Sequence, residues 1–446
     1  MGSKSTIFAL SSGPGVSGVA VIRVSGPACR SVLKSMAGAS VEPRKAKVLK
    51  IRHPKTKEVI DIGLVLWFPA PASFTGEDVI EFHVHGGRAV VAAMLDALQG
   101  ESDLRIAEAG EFTRRAFDNG KMDLTEAEGL SDLIHAQTEE QRNQALKQMD
   151  GSLRDLYEGW RARLVAHLAH LEADIDFPDE NLPEGIAGAV RPEIMTIYQE
   201  IKTHLESEKR GRAIRNGFRI VILGAPNAGK STLFNALSCS EAAIVSDEAG
   251  TTRDSIEMQF DLGGFPVRLI DTAGLREGGG EIEQEGMRRA IRHAEDAELR
   301  LVLIPADQKI DEKTKALITA DTLVVLTKCD LSGKEKQRKN AFGQIATLET
   351  AAKQGAGVQE LLDWIGRYVA EQMGSRESVT LTRLRHKSAL ISVVDNLMRF
   401  DKNAGVDAVL AAEDVRLAAR ALGSITGLVQ VEEILDVVFS DFCIGK

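Results

Sequence analysis

Residues 224–231 read GAPNAGKS, and they are the most informative stretch of this 446-residue chain. The stretch follows a short apolar run, residues 218–223, and precedes a helix-like segment, residues 232–237. This is the spacing of a loop that binds phosphate between a strand and a helix, where glycines let backbone N–H groups approach the anion. The pattern predicts that Lys230 reaches the β- and γ-phosphates of a nucleotide and that Ser231 binds Mg²⁺.

Three further motifs follow along the chain. The motif DTAG at 271–274 comes after an apolar run, which places a carboxylate at the metal and a glycine beside the γ-phosphate. Thr252 lies between the first two motifs, where a switch loop would supply a second hydroxyl to Mg²⁺; a simple polar loop is the alternative. Asp330, in TKCD at 327–330, can accept hydrogen bonds from N1–H and the 2-amino group of guanine, which adenine lacks. The four elements together resemble a GTPase of the translation-factor type.

Three positions depart from that pattern. Thr327 stands where asparagine is usual, so an amide that contacts guanine and ties the loop together is lost. Ala351 stands where a serine usually opens a Ser-Ala-Lys motif, although the backbone there can still contact guanine O6. Leu275 stands where Ras-like enzymes have the glutamine that orients water, which leucine cannot do. We therefore expect weaker guanine binding, a GTP preference that rests on Asp330, and a different water-orienting group.

The composition excludes several classes of protein. A length of 446 residues suggests about three domains. The net charge of -10 argues against a protein that coats nucleic acid through a global positive field, while a local basic patch stays open. The four cysteines show no C-x-x-C spacing, which favours reduced thiols. No run approaches the ~20 apolar residues of a membrane span and no signal-peptide pattern opens the chain, so we expect a cytoplasmic protein without membrane contact.

The spacing of apolar residues divides the chain into four parts. Residues 1–119 mix β-like runs with glycine-rich turns, which predicts an α+β domain. Residues 120–215 and 374–446 have helical periodicity, and residues 216–373 alternate β-like and helix-like segments. The apolar positions that indicate the last helical part include Val406, Leu410, Leu417 and Ala421. The expected fold is therefore a multidomain one, with a Ras-like phosphate-loop α/β domain inserted in a discontinuous helical domain after an α+β N-terminal domain.

The flanking segments are similar to one family, the GTPases of tRNA uridine 5-carboxymethylaminomethyl modification, known as MnmE or TrmE. The resemblance spans essentially the whole chain. The stretches that carry it are GVAVIRVSG at 18–26, SFTGED at 73–78, GEFT at 110–113, ADIDFP at 173–178 and FCIGK at 442–446. It implies a homodimer, an N-terminal domain that binds tetrahydrofolate and dimerises, and nucleotide domains that pair across their nucleotide faces.

The resemblance also assigns roles within the nucleotide domain. Asn227 matches the family's K⁺-binding asparagine, and residues 246–251 match the loop that completes a K⁺ site in place of an arginine finger. Asn227 could instead merely stiffen the loop. Glu283 aligns with the glutamate that orients the attacking water and is the candidate catalytic residue, although by itself the acidic run at 281–285 is typical of a solvated face. Arg276 is interpreted as an exposed switch residue rather than an arginine finger.

The residues expected to contact GTP are Asn227, Ala228, Gly229, Lys230, Ser231, Thr232, Ser246, Thr251, Thr252, Asp271, Thr272, Ala273, Gly274, Thr327, Lys328, Asp330, Ala351, Ala352 and Lys353. The metal ligands expected are Ser231 and Thr252 for Mg²⁺, and Asn227, Ser246, Glu248 and Thr251 for K⁺.

By the same resemblance, a 5-formyl- or 5,10-methylene-tetrahydrofolate would be held by Arg23, Glu81, Lys121 and Lys446. A carboxylate suits the amino-pyrimidine edge of a pterin and cations suit its glutamate tail, although lone charged residues are more often structural or solvated. His83 and His85 lack an accompanying carboxylate or cysteine cluster, so a turn at 86–87 is preferred to a metal site. Cys443 is either a reactive thiol or a small packed side chain.

The function implied is K⁺-dependent GTP hydrolysis that drives modification of C5 of the tRNA wobble uridine, U34, to an aminomethyl or carboxymethylaminomethyl product. A partner that uses FAD and NADH, MnmG (GidA), would join the chain and tRNA in a heterotetramer or larger complex. One alternative is a regulatory or ribosome-assembly GTPase, against which the acidic balance and the lack of a recognisable RNA-binding module speak. Another is a folate-dependent methyl- or aminomethyltransferase with an incidental nucleotide domain.

Overall fold

The computed structural model describes residues 5–38, 41–176, 186–244, 256–271, 294–308, 310–331, 342, 345–374, 380–429, 432–440 and 442–445. The chain forms two compact units. The first comprises residues 1–131, 148–168 and 416–446, and the second comprises residues 132–147 and 169–415. Within the described residues, no helix is both long and apolar enough to cross a membrane.

A six-stranded sheet dominates the first unit. In chain order its elements are β1 (Thr6–Leu10), β2 (Ser17–Ser25), α1 (Cys29–Ala37), β3 (Lys47–Arg52), β4 (Val59–Phe68), β5 (Val79–Gly86), α2 (Arg88–Gln99) and β6 (Leu104–Ile106). The strand order is β3-β4-β5-β2-β1-β6, and only the β1–β6 pair is parallel. Ile80, Phe82 and Val84 of β5 are buried with side chains of α1 and α2, whereas the alternating Glu81 and His83 are half-buried on the other face.

Helices make up most of the chain between this sheet and the second one. They are α3 (Glu111–Asp118), α4 (Leu124–His135), α5 (Glu139–Met149), α6 (Ser152–Asp176), α7 (Ile186–Glu206) and α8 (Glu208–Asn216). This confirms helical structure where the apolar periodicity predicted it.

A seven-stranded sheet lies in the second unit. Its elements are β7 (Phe218–Gly224), α9 (Lys230–Ser238), β8 (Ala243–Ile244), β9 (Ile256–Leu262), β10 (Phe265–Asp271), β11 (Leu299–Pro305), α10 (Glu312–Ala316), β12 (Thr322–Thr327), β13 (Thr347–Glu349) and α11 (Val358–Met373). The strand order is β13-β12-β11-β7-β10-β9-β8, with β7 parallel to both β10 and β11. Ile220 and Ile222 join one apolar cluster, and Val221 and Leu223 join another, so β7 is buried on both faces. Such a central parallel strand brings its carboxyl end, and the loop that follows, to the functional edge of the sheet.

The remaining helices are α12 (Leu384–Asn403), α13 (Ala408–Thr426) and α14 (Glu432–Ser440), and α12 packs against α7 within the second unit. The helical structure predicted for this region is confirmed, but Val406 and Leu410, two of the apolar positions that indicated it, are exposed. Val406 precedes α13 and is 84% exposed, and Leu410 is 52% exposed, whereas Val415 and Leu422 are fully buried. Much of the buried face of α13 consists of small side chains, Ala411, Ala412, Ala418 and Ala419, so large apolar residues alone did not mark that face.

The C-terminal stretch packs within the first unit. A Cβ on Gly110, whose φ is 67°, would lie 2.3 Å from the carbonyl oxygen of Phe439, so α14 approaches the start of α3 only because that residue is glycine. The Ser11 hydroxyl donates a hydrogen bond of 2.6 Å to the carbonyl oxygen of Gly445. Cys443, between these contacts, is exposed.

Candidate nucleotide site

The loop after β7 has the backbone shape that a phosphate-binding loop requires. Gly224 has φ 146°, and a Cβ there would lie 2.6 Å from the carbonyl oxygen of Leu303. Asn227 and Gly229 also have positive φ values, 62° and 95°, before α9 begins at Lys230. Glycine and asparagine tolerate this left-handed conformation best. The loop therefore turns sharply into α9, whose N-terminal N–H groups favour an anion.

The Lys230 side chain lies across this loop. Its ammonium group donates hydrogen bonds of 2.9 Å to the carbonyl oxygens of both Gly224 and Ala225, and the residue is only 8% exposed. The positive charge is thus held at the helix N-terminus, where it reinforces the attraction for phosphate oxygens.

Two hard oxygen ligands suited to Mg²⁺ lie at the same edge of the sheet. Asp271 ends β10 directly beside Ile222 of β7 and is 2% exposed. Ser231 is exposed in the first turn of α9. Since Mg²⁺ takes a few carboxylate or hydroxyl oxygens and fills the rest of its shell with water and phosphate, these residues fit the ion.

A cavity of about 290 Å³ joins the phosphate loop to the proposed base-recognition motif. It is lined by Gly229, Thr232, Thr327, Lys328, Asp330, Leu331, Ala352 and Lys353. Seven of these eight are in the predicted GTP-contacting set, and Leu331 was missed. Ala351 is buried outside this lining, and its N–H donates a 2.9 Å bond to the carbonyl oxygen of Ala356.

Thr327 ties the two halves of the site together. Its hydroxyl donates a buried hydrogen bond of 2.7 Å to the carbonyl oxygen of Ala228 in the phosphate loop. The prediction that threonine at this position gives up the tie was wrong in this respect, because a hydroxyl on a short side chain reaches the carbonyl directly. A buried carbonyl left without this donor would cost about 1–3 kcal/mol.

Asp330 lies in a short 3₁₀ turn, Cys329–Leu331, and its side chain has a neighbour that the sequence did not reveal. The Gln354 amide lies 3.4 Å from one carboxylate oxygen of Asp330 and donates to it. Gln354 lies three residues after the Ala351 position, and no spacing rule points to it. The contact leaves the carboxylate exposed but oriented along the cavity wall.

The first unit contains a second cluster of predicted residues. Arg23 and Glu81 face each other across β2 and β5, and Nη2 of Arg23 lies 2.9 Å from Oε1 of Glu81. The guanidinium also lies 5.3 Å from the ring centre of Phe74 and 5.7 Å from that of Phe112. Lys121 donates to the carbonyl oxygen of Pro71 at 3.1 Å. The Arg23–Glu81 pair and two aromatic faces thus share one region on the sheet face away from α1 and α2, whereas Lys121 is exposed.

The two histidines of β5 have separate carboxylate neighbours. Nε2 of His83 lies 3.2 Å from Glu81, and Nδ1 of His85 lies 2.9 Å from Asp61. No group of three or more metal-ligating side chains occurs among the residues that the structure describes.

Several predicted site residues lie outside the described ranges. They are Ser246, Glu248, Thr251, Thr252, Thr272, Ala273, Gly274, Glu283 and Lys446, together with Leu275 and Arg276. Their assignments stay predictions.

The chain is similar to known proteins over nearly all of its length. A family model described as "GTP-binding protein TrmE N-terminus" matches residues 6–121, and one described as "MnmE helical domain" matches residues 124–443. The tRNA modification GTPase MnmE of Parvibaculum lavamentivorans is 51% identical over 444 residues, which is 99% of this chain and 100% of that protein. A mitochondrial protein of Danio rerio, 5-taurinomethyluridine-[tRNA] synthase subunit GTPB3, is 45% identical over 99% of this chain and 93% of its own length. Among solved structures, a variant of Era from Aquifex aeolicus bound to GDP and AlF4⁻ is 24% identical, covers 40% of this chain and 66% of that one, and has a TM-score of 0.28.

Proposed function

The chain belongs to the MnmE family of tRNA modification GTPases, and from this we propose that its GTP hydrolysis drives modification of C5 of the wobble uridine, U34, in tRNA. The observation that carries the proposal is the similarity over the full length of the chain together with a continuous phosphate and base site in residues 224–353. The product would be an aminomethyl or carboxymethylaminomethyl uridine. The one-carbon unit would come from tetrahydrofolate, and the redox chemistry from an FAD-dependent partner, MnmG.

The proposed nucleotide pose follows the site geometry. Phosphates lie on the loop at 224–231, Lys230 neutralises the β- and γ-phosphates, and the base enters the cavity beside Asp330. Ser231 would ligate Mg²⁺ directly, and Asp271 would hold its water shell. Bound Mg²⁺ supplies neutralisation of the charge that develops on the γ-phosphate.

We also propose that the nucleotide regions of two chains pair during hydrolysis and that K⁺ occupies the position of an arginine finger. Asn227 supports this role, because its side chain is exposed on a left-handed turn of the phosphate loop. Glu283 is proposed to orient the attacking water in place of Leu275. The resulting motion of residues 216–373 would move the helices that flank them.

A homodimer formed through the N-terminal sheet is the proposed assembly. Val19, Val48, Ile62 and Leu64 of β2, β3 and β4 are exposed by 56%, 65%, 50% and 39%. Val48, Ile62 and Leu64 lie on the paired strands β3 and β4, and Val19 lies on β2, beyond β5. Exposed apolar side chains grouped on one sheet are typical of a surface that another protein covers. The proposed folate site at Arg23 and Glu81 lies on the same sheet.

Replacement of Glu81 by glutamine separates folate binding from dimerisation. The charge that would bind the amino-pyrimidine edge is lost, so affinity for 5-formyl-tetrahydrofolate should fall by about tenfold or more. Isothermal titration would measure this affinity, and sedimentation would measure the mass, which should stay at twice the 48.3 kDa of one chain. Asp78→Asn, which breaks a pair with the exposed Arg30, is the matched control. Unchanged folate affinity in the Glu81→Gln variant would contradict the folate assignment.

Nucleoside mass spectrometry of tRNA tests the proposed function directly. In cells that lack the chain, C5-modified U34 should disappear from its tRNAs and return on complementation. In vitro, product should require this chain, the FAD-dependent partner, GTP and a one-carbon tetrahydrofolate together. Unchanged U34 in the deletion strain would reject the modification role and leave a GTPase of the regulatory kind.

A further inference from the structure

Residues 132–141, which join the end of α4 to the start of α5, lie against the seven-stranded sheet of the second unit, and we call them the bridging segment. Thr138 and Gln141 cap the start of α5, since Oε1 of Gln141 accepts a bond of 3.2 Å from the Thr138 N–H. The segment is therefore a fixed turn. Its contacts with neighbouring elements determine which displacements it can pass on to α5.

The first attachment is an ionic one. The carboxylate of Asp132 lies 3.0 Å from Nε of Arg215 and 2.8 Å from Nη2 of Arg383. Arg215 lies in the last turn of α8, just before β7, and Arg383 immediately precedes α12. The side chains of Asp132 and Arg383 are only 16% and 11% exposed, so solvent screens this pair weakly. One carboxylate thus holds the chain both before and after the α/β region.

The second attachment joins the segment to the hairpin β9–β10. The N–H of Glu140 donates a 3.0 Å bond to the carbonyl oxygen of Gly264 in the hairpin turn. Gly264 has φ 90°, a conformation that favours glycine, and a Cβ there would be in ordinary van der Waals contact with Cβ of Glu139, at 3.4 Å. The side-chain amide of Gln141 adds a 3.1 Å bond to the carbonyl oxygen of Arg215.

A cavity of about 540 Å³ lies beside these attachments. Its lining includes Ile134, His135 and Ala136 from the segment and Gln259, Pro266 and Arg268 from the hairpin. The polar bonds to Gly264 and Arg215 therefore lie beside an open space between the segment and the hairpin. This space leaves room for the segment to shift against the hairpin.

The other end of the hairpin is at the nucleotide site. β9 pairs with β10 along its whole length, from Ile256 opposite Asp271 to Leu262 opposite Phe265. Asp271 is the residue that faces the proposed Mg²⁺ position. A rigid hairpin carries a displacement at that end to the Gly264 turn, where the bridging segment is attached.

We propose that Asp132 is a positioning residue that couples the state of the nucleotide site to the helices. This rests on the proposed function, in which GTP hydrolysis drives motion of those helices. Asp132 fixes the bridging segment to Arg215, before β7, and to Arg383, before α12. A displacement of the hairpin turn then moves α5, because the turn between α4 and α5 cannot deform to absorb it.

The Asp132→Asn variant of the full chain tests the proposal. GTP turnover should stay within about twofold of the wild type, because the residue lies outside the nucleotide site. The amount of modified U34 in complemented cells should fall by about fivefold or more. In hydrogen exchange, wild-type peptides covering 139–149 should differ between the GDP and GTP-analogue states, and the variant should lose that difference while peptides covering 265–271 keep theirs.

Two further variants make the result decisive. Asp401→Asn makes the same chemical change in a more exposed ion pair, with Arg191 at 2.7 Å in the same unit but away from the segment, and should leave every readout unchanged. Gln141→Ala removes the bond to the carbonyl oxygen of Arg215 and the cap on the Thr138 N–H, and should act in the same direction as Asp132→Asn if the latter does not fold.

A purely structural role would raise exchange equally in both nucleotide states and lower turnover together with modification, and that outcome would overturn the proposal. Normal modification by Asp132→Asn would overturn it as well. If the wild type itself makes no modified U34, the proposed function fails. The hydrogen-exchange measurement still tests the coupling between the nucleotide site and α5, because it requires only the protein and a bound nucleotide.

Discussion

Replacement of Asp330 by asparagine is expected to lower affinity for GTP by roughly 10²- to 10⁴-fold and to raise affinity for xanthosine triphosphate. The carboxylate would accept two bonds from guanine, each worth about 1.5–3 kcal/mol because the acceptor is charged. An asparagine has one acceptor and directs its NH₂ group at a donor of the base. Xanthine has a carbonyl oxygen at C2, which accepts from that NH₂ group instead. The Gln354 amide can still donate to the remaining oxygen and keep the new side chain oriented.

Competition binding with GTP, ATP and xanthosine triphosphate would measure the change. Asp363→Asn is a matched control, because Asp363 also accepts from a glutamine amide, that of Gln359 at 2.9 Å, but on α11. Thr327→Val removes the tie to Ala228 and should weaken guanine and xanthine nucleotides alike. If Asp330→Asn weakens binding of GTP and of xanthosine triphosphate equally, Asp330 stabilises the loop and does not select the base.

The phosphate half of the site could be predicted from sequence because its geometry is local. Gly224, Gly229 and Lys230 lie within one strand–loop–helix unit, and backbone sterics leave that spacing few alternatives. The apolar runs at 218–223 and 322–326 likewise became the buried strands β7 and β12.

The contacts between distant segments could not be predicted in the same way. The bond from Thr327 to Ala228 spans 99 residues, and the one from Gln354 to Asp330 depends on how a 3₁₀ turn faces its neighbour. The pairing of Asp132 with Arg383 spans 251 residues. No periodicity carries such information, since it arises only once the sheet and helices have packed. The sequence resemblance supplied residue roles, but these side-chain partners came from the structure.

Hydrolysis of GTP should be about tenfold or more faster in K⁺ than in Na⁺ at equal ionic strength. With leucine at position 275, the motif that follows β10 offers no side chain to orient water, and transition-state charge needs a cation near the phosphates. Asn227 offers an exposed amide oxygen on the phosphate loop, the kind of neutral ligand that suits a large monovalent ion. Steady-state turnover at rising protein concentration would report both the ion preference and the proposed pairing of nucleotide regions.

Two variants distinguish a K⁺ ligand from a residue that stiffens the loop. Asn227→Gly keeps the φ of 62° without strain and removes the amide, so K⁺ stimulation should vanish while GTP affinity stays within about threefold. Glu283→Ala should slow hydrolysis in both ions and also leave affinity intact, since an orienting group acts mainly in the transition state. Equal rates in K⁺ and Na⁺ for the wild type would reject the ion site. Loss of GTP binding by Asn227→Gly would instead show that the side chain stabilises the loop. A residue that only binds K⁺ can be removed without changing the loop conformation or the proposed contact of Lys230 with the phosphates.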